Sequence, residues 1–312
     1  MSFQDERTIS SPTGAALRLL VARPDGMPRA VVQINHGLAE HAARYGRFAG
    51  FLAERGFAAY AHDHRGHGRT RAPDAPLGRF AERDGAAKVT ADVATVHDVI
   101  AAEHPGVPVI VFGHSMGGLI ALNFVLRHPG RAAGVGVWNA NFSAGLAGRL
   151  ARAMLAWETF RLGSDAPSRL LPRLTFQAWG EAIPHARTSF DWLSRDPAEV
   201  DAYLADPLCG WPPSVSMWRD VFDLIFLGAD DHNFGDVPRA RPFHLVGGAK
   251  DPATNRGEAV LQLSRRMKRM EFSDVTAKVY AETRHESLNE PNRHLIMAEF
   301  ADWVDSAVLA QR

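Results

Sequence analysis

The stretch VIVFGHSMGGLIALNF, residues 109–124, decides the fold prediction. Four apolar residues lead into the pentapeptide GHSMG at 113–117, and apolar residues at helical spacing follow it. A short, continuous apolar run is typical of a strand that is buried on both faces. Glycines two positions before and after Ser115 permit a sharp turn that a Cβ atom would obstruct. The stretch therefore predicts a strand, a tight turn and a helix, with a glycine-rich packing contact as the alternative.

The predicted turn has a chemical consequence for Ser115. It places the hydroxyl at the N-terminus of the following helix, where the amide of Met116 points outward and the helix dipole favours negative charge. We therefore predict that Ser115 is a nucleophile and that the Met116 amide stabilises an oxyanion. The same pentapeptide supplies three supporting residues: Gly113, His114 and Gly117. A serine hydroxyl also needs a base, which in turn is oriented by an acid.

The base is sought among the fourteen histidines of the chain. Where a serine sits at such a turn, the order along the chain is serine, acid, histidine. His285 lies in the loop ETRHESLNEP (282–291) after a predicted strand, whereas His294 lies inside the predicted last helix. Asp251 ends the strand of VGGAKDP (246–252) and is the predicted acid. The other carboxylates considered are typical of solvated turns: Asp230, Asp231, Asp236 and Asp274.

A second oxyanion donor is predicted in the loop NHGLAEH, residues 35–41. In this type of site the second amide comes from the loop that follows the third strand. Gly37 permits an unusual backbone there, so the amide of Leu38 is the candidate donor. His36 is expected to brace the loop. Taken alone, the His-Gly pair is equally consistent with an ordinary turn at the end of a strand.

Strand-like and helix-like stretches alternate over the first 140 residues and again from about residue 235. The predicted strands cover 16–23, 30–37, 57–63, 107–113, 132–140, 242–251 and 277–282. The predicted helices cover 47–56, 86–103, 116–128, 255–270 and 291–310. Such alternation predicts an α/β fold with a mostly parallel central sheet flanked by helices.

Residues 141–234 interrupt this alternation with helix-like pieces broken by prolines. We predict that they form a helical cap, or lid, inserted into a core made of 1–140 and 235–312. Their eight arginines and twelve acidic residues, with no lysine, favour neutral esters over anionic head groups. Most of the tryptophans in the insertion are expected to pack between helices, and some to line an apolar pocket. Five of the seven lie there: Trp157, Trp179, Trp192, Trp211 and Trp218.

Six blocks of sequence, spread over nearly the whole chain, carry a family resemblance. They are NHGLAEHAARY (35–45), HDHRGHGRT (62–70), GHSMGG (113–118), DWLSRDPAEVDAYLADPLCG (191–210), GGAKDP (247–252) and RHESLNE (284–290). The chain resembles the monoacylglycerol lipase and lysophospholipase branch of the α/β-hydrolases, also called the serine aminopeptidase group. The resemblance implies the α/β-hydrolase fold with a helical cap. It also implies a triad of Ser115, Asp251 and His285, with oxyanion amides at Leu38 and Met116.

The composition argues against several other classes of protein. The 312 residues carry no formal net charge, so we expect no nucleic-acid partner. A polar N-terminus, and the lack of an apolar run of about 18 residues, predict a cytoplasmic protein. The single cysteine, Cys209, excludes an internal disulfide and is expected to be structural. The segment HDHRGHG (62–68) lacks metallo-hydrolase spacing, so Arg65 and His67 are expected to hold a loop rather than bind a metal.

These observations predict a serine carboxylic-ester hydrolase that works through an acyl-enzyme, without a metal or an organic cofactor. The expected substrate is a monoacylglycerol or a similar single-chain ester, and the cap offers a surface for transient contact with lipid. The same residues could serve a lysophospholipase, an amide or peptide hydrolase, or an acyltransferase. A dehalogenase or an epoxide hydrolase needs a carboxylate nucleophile, which Ser115 does not provide. A ligand-binding protein without turnover is the remaining alternative.

Overall fold

The computed structural model describes residues 3–310 and places eight strands of that range in one sheet. The strands are β1 (Asp5–Ser10), β2 (Ala16–Ala22), β3 (Ala30–Asn35), β4 (Phe57–His62), β5 (Val109–His114), β6 (Gly134–Trp138), β7 (Phe243–Gly248) and β8 (Val275–Tyr280). Every residue of β3 to β7 is buried. These strands therefore have helices on both faces, as their near-continuous apolar sequences require.

The strand order across the sheet is β1-β2-β4-β3-β5-β6-β7-β8. The pairs β1–β2 and β2–β4 are antiparallel, and the five pairs from β4–β3 to β7–β8 are parallel. The predicted α/β class with a mostly parallel sheet is thereby confirmed. Because β5 lies near the centre, the turn that follows it opens at the middle of the carboxyl edge, where open α/β sheets bind their ligands.

Nine α-helices connect and cover the strands within residues 3–310. They are α1 (Gly46–Glu54), α2 (Gly85–Glu103), α3 (Met116–Arg127), α4 (Leu146–Leu162), α5 (Ala178–Glu181), α6 (Pro197–Ala205), α7 (Val215–Ala229), α8 (Glu258–Arg269) and α9 (Arg293–Trp303). Side chains of α1 and α9 share one apolar core with Phe112, whereas those of α2, α3 and α8 share another with Val111. Successive residues of a strand point to opposite faces, so the helices form two layers. None of the helices in this part of the chain combines the length and apolarity that crossing a membrane requires.

The first strand was not predicted. β1 has the sequence DERTIS, and none of its residues is fully buried. It pairs with β2 at the edge of the sheet, where Asp5 lies opposite Val21. A half-exposed edge strand needs little apolar sequence, so periodicity alone gave no signal for it.

Four helices, α4 to α7, lie between the end of β6 at Trp138 and the start of β7 at Phe243. The described residues of this segment include no strand. α7 packs against α3 and α2, and its buried Met217, Trp218 and Leu224 belong to the same apolar core as α3. The segment is therefore anchored on the helix that follows Ser115.

Candidate active site

Ser115 is the single residue between β5 and α3, and its backbone is strained. Its φ of +55° lies in a region that residues with a Cβ rarely occupy. A Cβ on Gly113 would lie 2.0 Å from the carbonyl oxygen of Gly117. A Cβ on Gly117 would lie 2.0 Å from the carbonyl oxygen of Asn35. Both glycines are therefore required by close backbone contacts, and together they hold the serine at the edge of the sheet.

The three predicted triad residues lie within hydrogen-bond distance of one another. Ser115 Oγ is 2.9 Å from His285 Nε2, and His285 Nδ1 is 3.0 Å from Asp251 Oδ2. An ionised carboxylate can only accept, so Nδ1 carries the proton and Nε2 accepts from the serine hydroxyl. Asp251 follows β7 and His285 follows β8, so both reach the carboxyl edge near Ser115.

Asp251 is fully buried and accepts several hydrogen bonds. Besides His285, its donors are the Asn139 amide at 3.2 Å, the Thr254 hydroxyl at 2.8 Å and the backbone N–H of Ala253 at 2.9 Å. Burial alone would raise the pKa of Asp251, but the charge of His285 and these donors outweigh it and lower the pKa. The acid therefore stays ionised and keeps the imidazole oriented. Sequence reasoning missed Asn139, whose position after β6 was its only signal.

The predicted oxyanion residues line the same cavity as the serine. Leu38 and Met116 both face it. Met116 is the first residue of α3, where backbone N–H groups have no partner within the helix. His36 donates through Nδ1 to the carbonyl of Gly37 at 2.8 Å and accepts the N–H of His64 through Nε2 at 2.9 Å. Burial lowers the pKa of His36, which keeps the ring neutral and able to bridge the two loops.

A buried charged cluster, formed by Glu40, Arg44, His114 and Glu286, contacts the triad. Arg44 pairs with Glu40, and its two terminal nitrogens lie 2.6 and 2.7 Å from the oxygens of Glu286. His114 Nε2 donates to the carbonyl of His285 at 3.0 Å, and its Nδ1 lies 3.6 Å from Glu40. Burial would lower the pKa of His114, but its ion pair with Glu40 and the charge of Glu286 raise it overall. The cluster therefore joins the serine turn to the histidine loop.

Of this charged cluster, only His114 was predicted from the sequence. Glu40 also accepts the N–H of Gly37 at 2.5 Å and the hydroxyl of Tyr45 at 2.8 Å, which fixes residues 35–41, the predicted oxyanion loop. The spacing of four residues between Glu40 and Arg44 was the only local signal. Their partner Glu286 lies 242 positions beyond Arg44, so only the folded chain brings the three together.

A cavity of about 530 Å³ opens at Ser115 and is largely apolar. Its apolar wall includes Leu119, Leu171, Phe176, Trp179, Trp218 and Ile225. Its polar lining close to the triad includes Glu40, His114, Tyr203 and Glu286. The rings of Trp192 and Trp179 lie 5.0 and 6.4 Å from the ring of His285. Three of the five insertion tryptophans thus line the cavity, whereas Trp157 is half exposed on α4 and Trp211 packs on His67.

The segment 62–68 forms a buried loop, as expected. Arg65 is fully buried and pairs with Asp74 at 2.8 Å and with Asp92 at 3.8 Å. His67 Nδ1 lies 3.1 Å from the carbonyl of Arg65. These contacts hold the loop from which the backbone N–H of His64 donates to His36. The other acids and the other histidine considered lie elsewhere: His294, Asp230, Asp231 and Asp236 are exposed, and Asp274 directly precedes β8.

A serine at a strand–turn–helix, with an acid and a histidine after later strands of the same sheet, defines a serine hydrolase of the α/β-hydrolase class. Comparison with known proteins agrees. The sequence pattern of the Hydrolase_4 family, described as serine aminopeptidase S33, matches residues 26–292. The chain belongs to this family.

Several curated relatives match over most of their length. A monoacylglycerol lipase of Mycolicibacterium smegmatis is 31% identical over 308 residues, which cover 98% of each chain. A monoglyceride lipase of Homo sapiens is 28% identical over 284 residues, or 91% of this chain and 84% of the human one.

Solved structures with the same fold include a lipase in its open form, with a TM-score of 0.85 and 27% identity over 97% of this chain and 99% of that chain. A thermostable carboxyl esterase from Bacillus coagulans has a TM-score of 0.88 over 99% of both chains. At 24% identity, that second likeness shows the fold alone.

Proposed function

We propose that the protein hydrolyses monoacylglycerols, or similar esters with a single acyl chain, through an acyl-enzyme on Ser115. The observation that carries the proposal is the hydrogen-bonded chain from Ser115 through His285 to Asp251, at one end of an apolar cavity. The relatives named monoacylglycerol lipase and monoglyceride lipase support the substrate class.

The proposed mechanism assigns one task to each residue. His285 Nε2 takes the proton of Ser115 as its Oγ attacks the ester carbonyl, and Asp251 stabilises the imidazolium that forms. The amides of Leu38 and Met116 hold the oxyanion of the tetrahedral intermediate. His285 then protonates the leaving alcohol. A water molecule, activated by the same imidazole, releases the fatty acid and regenerates the serine hydroxyl.

The lining of the cavity supports a substrate with two unlike ends. The apolar wall can hold an acyl chain, whose burial contributes about 0.8 kcal/mol per methylene. The polar lining also includes Asn141, Ser143 and Asn255, whose side chains can hydrogen-bond the hydroxyls of a glycerol head group. Among the described residues that line the cavity there is no arginine or lysine, and the two lining glutamates, Glu40 and Glu286, offset the charge of His114. A neutral head group suits this environment better than the phosphate of a lysophospholipid.

The family description, serine aminopeptidase, raises amide hydrolysis as an alternative to ester hydrolysis. An aminopeptidase needs a carboxylate to bind the free amino group of its substrate. The two glutamates that line the cavity, Glu40 and Glu286, are engaged by Arg44. The site therefore favours esters, and acyl transfer to an alcohol remains a side reaction to be measured.

The predicted cap, residues 141–234, is part of the proposal. Its helix α4 exposes four large apolar side chains to solvent at a spacing of three, four or seven residues: Leu146, Leu150, Trp157 and Phe160. Three arginines of the same helix flank them: Arg149, Arg152 and Arg161. An apolar stripe beside cations is typical of a helix that rests on a lipid surface. We propose that α4 makes transient contact with lipid, and the cytoplasmic location stays a prediction.

The test compares the wild type with Ser115→Ala on a panel of substrates. The panel holds glycerol monoesters, lysophospholipids, p-nitrophenyl esters of graded chain length and aminoacyl anilides. We expect the highest kcat/KM on glycerol monoesters, and a loss of about 10³-fold or more in the variant. Circular dichroism and thermal unfolding serve as controls for folding. Undiminished turnover by Ser115→Ala, or a preference for the anilides, would contradict the proposal.

A further inference from the structure

Three side chains with metal-binding donors meet outside the triad: His41, Asp206 and Cys209. One donor atom from each lies within 4.8 Å of the other two. His41 follows Glu40 on the oxyanion loop, and the other two belong to the turn after α6. His41 Nε2 lies 2.8 Å from Asp206 Oδ2. None of the three lines the substrate cavity, so this group is separate from the proposed catalytic residues.

The turn after α6 is folded so that its two donors are presented together. The backbone N–H of Cys209 donates to the carbonyl of Asp206 at 3.0 Å, and the N–H of Leu208 donates to Asp206 Oδ1 at 2.8 Å. Oδ1 is thereby occupied by the turn, and Oδ2 is the oxygen that faces His41. The carboxylate of Asp206 is thus oriented by a backbone contact, as a metal site requires of its supporting shell.

The spacing of the donors suits a tetrahedral ion after small shifts. Zn²⁺ binds nitrogen and oxygen at about 2.0–2.2 Å and thiolate at about 2.3 Å, which separates neighbouring donors by roughly 3.3–3.8 Å. The distance between His41 Nε2 and Asp206 Oδ2 must therefore increase by about half an ångström. The distances from the sulfur of Cys209 to the other two donors must decrease by about one ångström at most. The side chain of Asp206 is 31% exposed, whereas that of His41 is 8% exposed. An ion can therefore reach the group from solvent at Asp206, with water as its fourth ligand.

We propose that His41, Asp206 and Cys209 bind a single Zn²⁺ ion, or another borderline-soft divalent cation, as a site distinct from the ester-cleaving residues. Binding replaces the hydrogen bond between His41 and Asp206 by two bonds to the ion. The thiol of Cys209 loses its proton to solvent and binds as thiolate, and the hydrogen that His41 Nε2 donates to Asp206 moves to Nδ1, which frees the Nε2 lone pair for the ion. No oxidation or reduction occurs.

The position of the group predicts what the ion does to the enzyme. The carbonyl of Ala39 already accepts bonds from the Tyr203 hydroxyl and the N–H of Gly210, each at 3.0 Å. The hydrogen bond between His41 and Asp206 is the third connection between residues 35–41 and the segment around Cys209, and Zn²⁺ would replace it by a bridge that also includes the thiolate. We therefore expect the ion to stabilise the fold and to slow turnover, because Leu38 and Tyr203 line the cavity on either side of this junction.

The experiment uses the full chain without a histidine tag and titrates it with Co²⁺, followed by Zn²⁺. Thiolate bound to Co²⁺ gives a near-ultraviolet charge-transfer band, and Cys209 is the only cysteine, so the band has one assignment. We expect one equivalent to bind, and Zn²⁺ to displace it. Cys209→Ser should abolish the band. His41→Ala and Asp206→Asn should weaken binding at least tenfold each.

His232→Ala is the matched control. His232 also pairs with a carboxylate, Asp230, at 3.0 Å, but it is exposed. Among the described residues, a histidine and a carboxylate meet a thiol only at His41, Asp206 and Cys209. This variant should bind Co²⁺ as the wild type does.

Stability and activity supply two further readouts. Zn²⁺ should raise the Tm and lower kcat/KM of the wild type, and Cys209→Ser should keep its metal-free activity but resist both effects. A missing thiolate band, or unchanged Zn²⁺ affinity in Cys209→Ser and Asp206→Asn, would overturn the site. Equal inhibition of wild type and Cys209→Ser would place the inhibitory ion elsewhere and overturn the expected effect on turnover.

Discussion

Arg44 and Glu286 form a two-pronged ion pair, with nitrogen–oxygen distances of 2.6 and 2.7 Å, beside the proposed catalytic histidine. Glu286 directly follows His285, and Arg44 lies in the turn that follows the oxyanion loop. The two side chains are only 12% and 6% exposed. The pair therefore joins the loop of the proposed base, His285, to the turn that follows the loop of a proposed oxyanion donor, Leu38.

Replacing Arg44 should impair both folding and turnover. Arg44→Met leaves Glu286 buried without its cation, which should lower the free energy of unfolding by about 3–5 kcal/mol. It should also lower kcat by about 10- to 100-fold with a smaller change in KM, because the base and the oxyanion donor lose their relative position. Urea denaturation and steady-state kinetics measure the two effects.

Arg47→Met is the matched control for that prediction. Arg47 pairs with Glu199 at 2.7 Å, but its side chain is 47% exposed. Exposed pairs contribute at most about 1 kcal/mol, so this variant should keep both stability and kcat. Normal kcat in Arg44→Met would show that the pair does not position the site.

A methyl group at Gly117 should prevent the serine turn from forming. Its Cβ would overlap the carbonyl oxygen of Asn35 at 2.0 Å, and neither backbone can move without disrupting β3 or α3. We expect Gly117→Ala to yield little folded protein or to lose fluorophosphonate labelling of Ser115. Gly130→Ala is the control, since a Cβ there meets nothing within 4 Å. A well-folded, fully labelled Gly117→Ala protein would refute the tight-turn account.

The carboxyl group of Asp220 should make stability depend on pH. Asp220 lies on α7 and accepts the N–H of Ala86 at the start of α2, at 3.2 Å. Burial, helped by the nearby charge of Asp223, raises the pKa of Asp220 from 3.8 to about 6. The folded state then holds this proton more tightly than the unfolded state does between pH 4 and 6. Stability contributed by the group is therefore present at low pH and is lost as the pH rises through that range.

Asp220→Asn should remove this part of the pH dependence, because an amide oxygen can still accept the N–H of Ala86 without ionising. Between pH 4 and 7, we expect the wild type to lose about 1–3 kcal/mol more unfolding free energy than the variant. Asp25→Asn, in an exposed turn, is the control and should follow the wild type. Parallel curves for wild type and Asp220→Asn would rule out this titration.

Charges on the exposed face of α4 should weaken action on lipid aggregates only. Phe160 is 90% exposed and Leu146 is 74% exposed. The double variant Phe160→Glu with Leu146→Glu should reduce co-flotation with phospholipid vesicles and hydrolysis of emulsified monoacylglycerol several-fold. Hydrolysis of dissolved p-nitrophenyl butyrate should stay unchanged.

Met27→Glu tests whether any exposed apolar residue would have the same effect. Met27 is 84% exposed in the turn before β3, at the opposite end of the sheet from Ser115. This variant should retain vesicle binding. Equal loss in both proteins, or no loss in the α4 variant, would contradict contact through that helix.

The residues of the proposed triad could be singled out in the sequence because their signals are local. Ser115 is marked by glycines at fixed spacing, and Asp251 and His285 each follow a recognisable strand. The ion pair of Arg44 with Glu286 has no such signal, since it depends on two loops that meet only in the folded chain. The hydrogen bond from Asn139 to Asp251 depends in the same way on the adjacency of β6 and β7.

The fold was predictable to the same extent and for the same reason. Buried strands such as β5 can be recognised by their uninterrupted apolar sequence. The prediction of 107–113 differs from the observed Val109–His114 by two residues or fewer at each end. The edge strand β1 lacks that composition because half of it meets solvent. The division of the chain into core and cap rests on changes of rhythm in the sequence and stays a proposal.

The chain leaves the sheet at Trp138 and rejoins it at Phe243, and these two strands are immediate neighbours. A segment that begins and ends at adjacent strands can be lengthened, shortened or exchanged without a change in the strand order of the sheet. The substrate preference of such an enzyme could therefore change during evolution while the residues proposed to cleave the ester stay the same.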